Sequence, residues 1–435
     1  MTGDTKNLPA IDDQLFLDCV HCGLCTSSCP TYVELGTETD GPRGRIYLMR
    51  AVRDGRLRMD DPEMRHHLDL CLDCRACESA CPSGVQYGRL IEPFRARIAE
   101  TAGPPPLSFW ERLNLFHLTP YAGRMRWVMA MVRLLQRSGL DAAFERLGVM
   151  RLMPKSLRQM HAMLPHLQPG RGRLPEILPA EGKRRARVAL FLGCAADALF
   201  PQTTLATARV LQHNGCDVFI PRRQACCGAL HYHLGLAGPA RAFADENLRA
   251  FEAFLGQSAD CDAIVVNAAG CGAMLKDYGH LVESEAARHF AGKVRDVSEF
   301  LVELGPVPPK VPLPMRAVYH DACHLCHAQQ IRSQPRQLLN MIPGLELIPL
   351  PESELCCGAA GSYSITQPEM AERLGRRKIK NILETSAKAV FAGNVGCLLQ
   401  IGRYLRADST DLWLAHPIDA LWASYSGVLP RQLRE

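Results

Sequence analysis

The sequence has little of what a membrane-spanning, nucleic-acid-binding or nucleotide-binding protein requires. No uninterrupted apolar run reaches the roughly 18 residues of a membrane-spanning helix. Aromatic residues are only 6% of the chain, the net charge is only +5, and the basic residues are not interleaved with aromatic ones. We therefore expect no nucleic acid among its partners. No G-x-G-x-x-G follows a predicted strand, so nothing indicates a flavin or nicotinamide site on this chain.

The amino-terminal residues also lack the pattern of a secretory signal. Residues 1–14 are polar and carry several charges, which favours a cytoplasmic protein. The 435 residues, of which 47% are hydrophobic and 22% charged, predict a soluble chain of two or more domains. The 19 cysteines are then expected to be reduced thiols, which in such a compartment usually bind metal.

Two copies of the motif C-x-x-C-x-x-C-x-x-x-C-P, at residues 19–30 and 71–82, dominate the first quarter of the chain. In two-cluster proteins with this motif, three closely spaced thiolates bind one cluster and the fourth ligates the other cluster. The spacing therefore predicts two [4Fe–4S] clusters with crossed ligands. The first set is Cys19, Cys22, Cys25 and Cys81, and the second set is Cys29, Cys71, Cys74 and Cys77. Zinc knuckles or a disulfide framework are the alternative, but neither requires the third cysteine or the proline.

The residues between and after these motifs have helical patterns. Residues 44–57, 61–70 and 86–101 are the predicted helices, and Gly103 with the three prolines after it ends the last one. The long helical segment from Cys29 to Cys71, between the two motifs, resembles the α-helical ferredoxin module of respiratory iron–sulphur subunits. We expect this domain to span residues 1–103. Arg43, Arg45 and Arg50 follow the first motif, where they either offset the negative charge of the clusters, contact a partner, or form a solvated basic face.

Residues 104–187 form a connector without cysteine. It contains 15 Lys and Arg against 5 Asp and Glu, and apolar, Met-rich helical patterns. Such helices suit the surface of an anionic membrane, here the cytoplasmic face of the inner membrane, or a partner subunit. Helices that pack between two domains predict the same pattern. Residues 165–187, rich in proline and basic residues, are interpreted as a linker.

An internal repeat follows, and its landmarks are cysteines. Each copy has a first cysteine, a Cys-Cys-Gly motif and a last cysteine. From the first cysteine to the motif and from the motif to the last cysteine, the intervals are 32 and 45 residues in the first copy and 33 and 41 in the second. Two copies of one plan predict two similar units, at residues 188–310 and at residues 311–435 including a carboxyl-terminal tail. The metal ligands expected in the first copy are Cys194, Cys226, Cys227 and Cys271, and in the second copy Cys323, Cys356, Cys357 and Cys397.

Each copy has the pattern of an α/β fold. Short apolar runs at 188–192, 218–221, 263–267, 315–319, 346–350 and 387–392 predict parallel strands, and the cysteines follow their carboxyl ends, where such sheets bind ligands. Four thiolates per copy suit an iron–sulphur cluster or a tetrahedral zinc, while buried core thiols or a redox disulfide are the alternatives. Gly228 and Gly358 are expected to let the backbone approach the metal. Cys216 and Cys261 have no counterpart and are interpreted as core thiols.

The order of these motifs resembles the iron–sulphur subunit of bacterial glycolate oxidase over nearly the whole chain. Matching stretches are CVHCGLCTSSCPTY, DGPRGRIYLM, CCGALHYHL, AAGCGAM and CCGAAGSYSIT. The architecture is also similar to the iron–sulphur proteins of lactate utilisation, anaerobic glycerol-3-phosphate dehydrogenase and heterodisulfide reductase. In heterodisulfide reductase a fifth cysteine completes each repeat, but here Met274 and Gln400 occupy those positions. Cys326, His320 and His324 are candidates for an additional ligand in the second repeat.

The resemblance implies an electron-transfer subunit with a helical two-cluster ferredoxin domain followed by an α/β domain made of two Cys-Cys-Gly repeats. Iron–sulphur clusters accept single electrons, so the hydride of a 2-hydroxy acid must be removed at a two-electron cofactor. The resemblance places this cofactor, FAD, on partner subunits that oxidise glycolate to glyoxylate, with a quinone as the expected acceptor and no catalytic residue on this chain. The alternatives are a lactate or glycerol-3-phosphate dehydrogenase subunit, a stand-alone disulfide or quinone reductase, and a zinc-binding scaffold.

Overall fold

The computed structural model describes residues 11–168, 170, 172–255 and 261–429. Most of the polar amino-terminal stretch and two positions of the predicted linker, residues 169 and 171, lie outside the described residues.

The first part of the chain is built from short helices that wrap the two cysteine motifs, and no strand is described between residues 11 and 103. Asp12 and Asp61 begin two of these helices, because their carboxylates accept backbone N–H groups of the first turn. Phe16, Leu68 and Phe94 belong to the apolar core between the helices. The helices are α1 (Asp13–Leu17), α2 (Pro30–Leu35), α3 (Pro42–Arg53), α4 (Pro62–Asp69), α5 (Ala76–Ser79) and α6 (Gly88–Ala102).

The connector is also helical. It contains α7 (Phe109–Arg112), a π-helical turn (Leu113–Leu118), α8 (Ala122–Arg137), α9 (Leu140–Arg146), a 3-10 turn (Val149–Leu152) and α10 (Lys155–Met163). Helix α8 has two different faces. Met125 and Met129 are buried against Ala198 and Leu199 of the first repeat, whereas Trp127 on the opposite face is 69% exposed. The connector therefore packs on the repeats and still presents apolar side chains to the outside.

The first repeat forms a sheet with the order β1-β3-β2-β4-β5, in which only the β1–β3 pair is antiparallel. Its strands are β1 (Ile177–Leu178), β2 (Ala186–Phe191), β3 (Cys216–Phe219), β4 (Ala263–Val266) and β5 (Val294–Asp296). Its helices are α11 (Cys194–Leu199), α12 (Pro201–His213), α13 (Ala229–His233), α14 (Ala237–Leu255), α15 (Ala269–Lys276), α16 (Tyr278–Leu281), α17 (Glu285–Lys293) and α18 (Val297–Leu304). Strand β1 lies in the stretch interpreted as a linker, since a two-residue edge strand leaves no periodic signal in a sequence.

The second repeat has the sheet order β7-β6-β8-β9, which is the order of β3-β2-β4-β5 again. Its strands are β6 (Met315–His320), β7 (Leu345–Leu347), β8 (Ala389–Ala392) and β9 (Trp413–Ala415), and all of them are parallel. Its helices are α19 (Gln334–Asn340), α20 (Tyr363–Thr366), α21 (Pro368–Glu384), α22 (Val395–Ala407) and α23 (Pro417–Ser426). One apolar core runs through both sheets and includes Leu190, Val218, Tyr319 and Phe391, so the repeats pack as one body.

Candidate metal centres and the cavity between them

The first ferredoxin-type set of thiols lies near the surface. Cys19, Cys22, Cys25 and Cys81 line one small cavity, and Cys22 is exposed. Burial and the neighbouring thiols of Cys19 and Cys81 raise the pKa of Cys25 to about 11. Thiols that crowd together in this way lose their protons readily only beside a cation, which is the behaviour of a metal-binding set.

The turn that carries this set depends on Gly23. Its φ of +87° is in the left-handed region, and a Cβ there would lie 2.7 Å from Nη1 of Arg43. That guanidinium donates to the carbonyl oxygen of His21 at 2.9 Å and forms an ion pair with Glu38 at 2.7 Å. Arg43 therefore fixes the loop of the first motif.

The second ferredoxin-type set is buried deeper. Cys29, Cys71 and Cys74 are buried, and Cys77 is partly exposed. Burial raises the pKa of Cys74 and that of Cys77, and the nearby thiols of Cys29 and Cys71 raise both further. The structure therefore places Cys29 beside the second motif and Cys81 beside the first.

A buried arginine accompanies this second set. The side chain of Arg45 is 1% exposed, and its Nη1 lies 3.9 Å from Sγ of Cys29. The guanidinium also donates to the carbonyl oxygen of His67 at 2.7 Å and to Oγ1 of Thr31 at 3.1 Å. Three interpretations were given for the arginines that follow the first motif. The position of Arg45 favours the one in which its charge offsets the negative charge of the thiols. Arg50 is only partly buried.

The four thiols of the first repeat form two close pairs. Sγ of Cys194 lies 3.5 Å from Sγ of Cys226, and Sγ of Cys227 lies 3.4 Å from Sγ of Cys271. The adjacent cysteines thus turn to different outer cysteines. The neighbouring Cys226 raises the pKa of Cys194, and burial raises it further. Like the ferredoxin-type sets, this donor set fits a metal that prefers sulphur ligands.

The glycine of each Cys-Cys-Gly motif serves the packing of a helix. Gly228 and Gly358 have φ values of +89° and +85°. A Cβ on Gly228 would lie 3.1 Å from the carbonyl oxygen of Ala240, and a Cβ on Gly358 would lie 2.8 Å from that of Ala371. The glycines are thus required by the left-handed turn and by the closeness of α14 and α21. The backbone N–H of Gly228 also donates to Sγ of Cys226 at 3.5 Å, and the approach of the backbone to a metal stays a prediction.

The second repeat adds a nitrogen atom to its thiols. Sγ of Cys323 lies 3.9 Å from Sγ of Cys356, and ligand atoms of His320, Cys357 and Cys397 lie within 4.8 Å of one another. Nδ1 of His320 donates to the carbonyl oxygen of Ser353 at 3.0 Å. Its Nε2 is buried and has no hydrogen-bond partner among the described residues. A buried, unpartnered nitrogen beside thiols is typical of a metal ligand.

The first repeat has no such nitrogen at the corresponding position. Phe191 ends strand β2 three residues before Cys194, just as His320 ends strand β6 three residues before Cys323. Phe191 is buried and stacks on Phe251. The candidate donor sets of the two repeats therefore differ in this nitrogen, although their cysteines match.

The other candidates for an additional ligand lie elsewhere. Cys326 forms a cluster with His327 and Glu354. Nε2 of His324 donates to the carbonyl oxygen of Asp73 at 3.0 Å. Cys216 is buried in the sheet core, and Sγ of Cys261 donates to the carbonyl oxygen of Ala263.

Both repeat sites open into one shared cavity of about 340 Å³. All eight repeat cysteines line it. Residues of the connector also line it, and these are Asn114, Leu115, Leu118, Thr119, Met125, Val128, Met129, Val132, Met160, Met163 and Leu164. The sequence indicated two separate sites. That they face one space, closed by the Met-rich connector, depends on how the two sheets pack and has no signal in the sequence.

A buried ionic network joins the second ferredoxin motif to the first repeat. Arg75 pairs with Asp73 at 2.8 Å and with Glu92 at 2.9 Å. Nδ1 of His233 lies 3.3 Å from Asp73 and 3.4 Å from Glu92. Burial lowers the pKa of His233, but the two carboxylates outweigh it and raise this pKa to about 9. No motif in the sequence predicts this network, since Glu92 and His233 are distant from Arg75 in the chain.

The second ferredoxin-type set also touches the second repeat. Cys74 belongs to the same packed cluster as Cys323 and Cys356. The hydroxyl of Tyr363 donates to the carbonyl oxygen of Leu70 at 2.8 Å across this contact. The thiols of the ferredoxin part and of the second repeat are thus neighbours in the fold.

Comparison with known protein families matches each part of this architecture. The model of a "4Fe-4S dicluster domain" matches residues 16–85, and that of a "Cysteine-rich domain" matches residues 188–276 and 317–402. Residues 106–164 match the "Glycolate oxidase iron-sulfur subunit, linker region". The "Probable glycolate oxidase iron-sulfur subunit" of Bacillus subtilis is 41% identical over 90% of this chain and 89% of its own length. The chain belongs to the family of glycolate oxidase iron–sulphur subunits.

Other relatives agree with this family. The "Glycolate oxidase iron-sulfur subunit" of Escherichia coli is 34% identical over 90% of this chain and 91% of its own length. "Lactate utilization protein A" of Geobacillus thermodenitrificans is 33% identical but covers 50% of this chain and 90% of its own length. These matches confirm the predicted family, the iron–sulphur domain and the internal repeat. Among the described residues, no helix is both long and apolar enough to cross a membrane.

Proposed function

We propose that this chain is the electron-transfer subunit of a multisubunit glycolate oxidase that receives electrons from an FAD-containing partner and delivers them to a quinone. The observation that carries the proposal is the 41% identity over 90% of the chain to a glycolate oxidase iron–sulphur subunit. In the overall reaction, glycolate and quinone give glyoxylate and quinol. The two electrons and two protons that leave glycolate are those that convert the quinone to quinol.

The proposed ligands are the cysteines of the two ferredoxin-type motifs and of the two repeats. The first ferredoxin-type cluster would be held by Cys19, Cys22, Cys25 and Cys81, and the second by Cys29, Cys71, Cys74 and Cys77. When bound, such clusters accept and release single electrons. This chain's own residues bury the second set, and Arg45 offsets the charge of Cys29 there. In the repeats, the proposed metal ligands are Cys194, Cys226, Cys227 and Cys271, and Cys323, Cys356, Cys357 and Cys397 with His320.

The surface around the first set suits the docking of the flavoprotein partner. Several apolar side chains near the first motif are exposed. Leu17, Val20 and Leu24 are close to the exposed Cys22 in the sequence, and Tyr47 is on helix α3. An apolar patch beside a cluster lets a partner bring its flavin near the first set. Electrons would then pass to the buried second set and on to the second repeat, which the contact of Cys74 with Cys323 and Cys356 supports.

We also propose that the connector contacts the membrane from the cytoplasmic side. Trp127, Leu134 and Leu147 of the connector are exposed, and residues 104–187 carry 15 basic against 5 acidic residues. Apolar side chains among basic ones suit an anionic lipid surface. We retain the division of the chain at residues 103, 187 and 310 as part of this proposal, although β1 pairs with the sheet of the first repeat.

The complex with its flavoprotein partner, purified anaerobically, tests the proposed function. We expect glycolate-dependent reduction of a short-chain quinone, and at least about eight irons per chain. Glycolate oxidation that does not require this chain would contradict the electron-transfer role. If lactate or glycerol 3-phosphate is oxidised faster than glycolate, that compound and not glycolate is the substrate. Zinc in place of iron at the repeats would restrict electron transfer to the ferredoxin part.

A further inference from the structure

We propose that the cavity between the two repeats is the binding site of the lipophilic quinone that accepts the electrons. This inference rests on the proposed function and assigns the acceptor to a place in the fold. The cavity is lined on one side by the cysteines of both repeats and on the other by the connector. Its volume of about 340 Å³ includes the space beside the eight thiols that bound metals would fill, and the part under the connector wall is the part that an acceptor would occupy.

The connector wall is mostly apolar and adaptable, and Asn114 and Thr119 are its polar members. Met125, Val128, Met129 and Val132 face the cavity, at the spacing of one face of helix α8. Met160 and Met163 of α10 join them. Methionine side chains are flexible and polarisable, and they suit flat organic molecules and apolar tails. The metal ligands lie on the opposite side, so an organic molecule under this wall would be next to them.

The charge of the lining selects a neutral occupant. None of the described residues that line the cavity is Lys or Arg. His233 lines it, but its Nδ1 already faces the carboxylates of Asp73 and Glu92. A carboxylate or phosphate of an anionic acceptor would therefore be buried without a counter-ion, which is costly. A quinone carries no charge and enters such a lining without this cost.

The position of the connector also agrees with a lipophilic occupant. Helix α8 contributes one face to the cavity wall, while Trp127 and Leu134 on its other side are 69% and 62% exposed. A quinone dissolves in the bilayer, and the same helix would meet both the lipid surface and the bound quinone. There the quinone would take up two electrons and two protons and leave as quinol.

Substitution of the cavity wall tests the inference in the complete, detergent-solubilised complex. Met129→Trp fills the space under the wall, and Val132→Phe is a second variant with a smaller change. Met131→Trp is the matched control, since Met131 is on the same helix but 47% exposed and does not line the cavity. The measurements are the KM values for decylubiquinone and for ferricyanide with glycolate as the donor. Iron content and unfolding temperature show whether each variant is folded and loaded.

We expect Met129→Trp to raise the KM for decylubiquinone about tenfold relative to that for ferricyanide, and Met131→Trp to leave both unchanged. A photoreactive azidoquinone should label peptides 125–132 or 160–164 of the unaltered complex, and decylubiquinone should compete with it. Equal quinone KM values in folded Met129→Trp, Val132→Phe and Met131→Trp, or labelling elsewhere, would refute the quinone site in this cavity. Neither result would contradict the proposed function. A complex that reduces ferricyanide but no quinone would refute the quinone in both proposals. Failure to oxidise glycolate with either acceptor would refute the proposed function itself.

Discussion

Replacement of Gly88 by alanine should break the ionic network that joins the ferredoxin part to the first repeat. A Cβ on Gly88 would lie 1.5 Å from Nη1 and 1.6 Å from Cζ of Arg75. Arg75 would therefore have to leave the position in which it pairs with Asp73 and Glu92. These carboxylates are only 2% and 7% exposed, so water cannot replace the guanidinium.

The expected loss of stability is large. Breaking a buried ion pair by removing one partner costs about 3–5 kcal/mol. Gly88 is the first residue of helix α6, where the interior preference for alanine does not apply, but His233 still faces both carboxylates and offsets part of this cost. The net destabilisation should therefore be about 2–4 kcal/mol. Arg75 helps to lower the pKa of Asp73 against the effect of burial, and its displacement should raise that pKa.

Thermal and denaturant unfolding of the anaerobically purified protein measure this effect, with iron release as a second signal. Gly238→Ala is the control, because Gly238 lies in helix α14 and its added Cβ would have no neighbour within 4 Å in the described part of the chain. We expect Gly238→Ala to be neutral or slightly stabilising. Equal unfolding midpoints for Gly88→Ala and Gly238→Ala would refute the role assigned to Arg75.

Three further predictions concern the metal sites and the carboxyl-terminal helix. Cys74→Ser should remove about four irons per chain and the paramagnetic resonance signal of one cluster. The control variant Cys216→Ser should keep these irons and this signal. Equal iron contents in the two variants would contradict the second ligand set. X-ray absorption at the metal of the second repeat should show a nitrogen ligand that is lost in His320→Ala, and an unchanged spectrum would leave His320 as a hydrogen-bonding residue only. His416 caps helix α23 with Nδ1, and burial lowers its pKa from 6.5 to about 4. The neutral form thus contributes stability above pH 6.5 that is lost as the pH falls towards 4. This loss is about 3 kcal/mol, so unfolding midpoints of His416→Asn should fall less between pH 7 and pH 4.5 than those of the unaltered protein.

The sequence by itself determined the features that depend on neighbours in the chain. The cysteine spacing predicted the iron–sulphur domain and the two similar repeats, and the family comparison confirms both. The apolar runs predicted β2, β4, β6 and β8 to within two residues, because central parallel strands are buried on both faces and read as continuous apolar runs. Helices α4 and α6 were predicted with similar accuracy, since Asp61 caps the start of the first and Gly103 follows the end of the second.

The features that join distant parts of the chain were decided only by the tertiary structure. Edge strands β1, β5 and β9 have two or three residues each, too few for a periodic pattern. His320 is one of three extra-ligand candidates in the sequence, and only the packing of its strand end beside Cys357 and Cys397 distinguishes it. The pairing of Arg75 with Glu92 and His233, and the cavity shared by both repeats, arise when separately coded helices and sheets pack together. Local patterns determine which elements form, but the shapes and charges of their buried faces determine which of them meet.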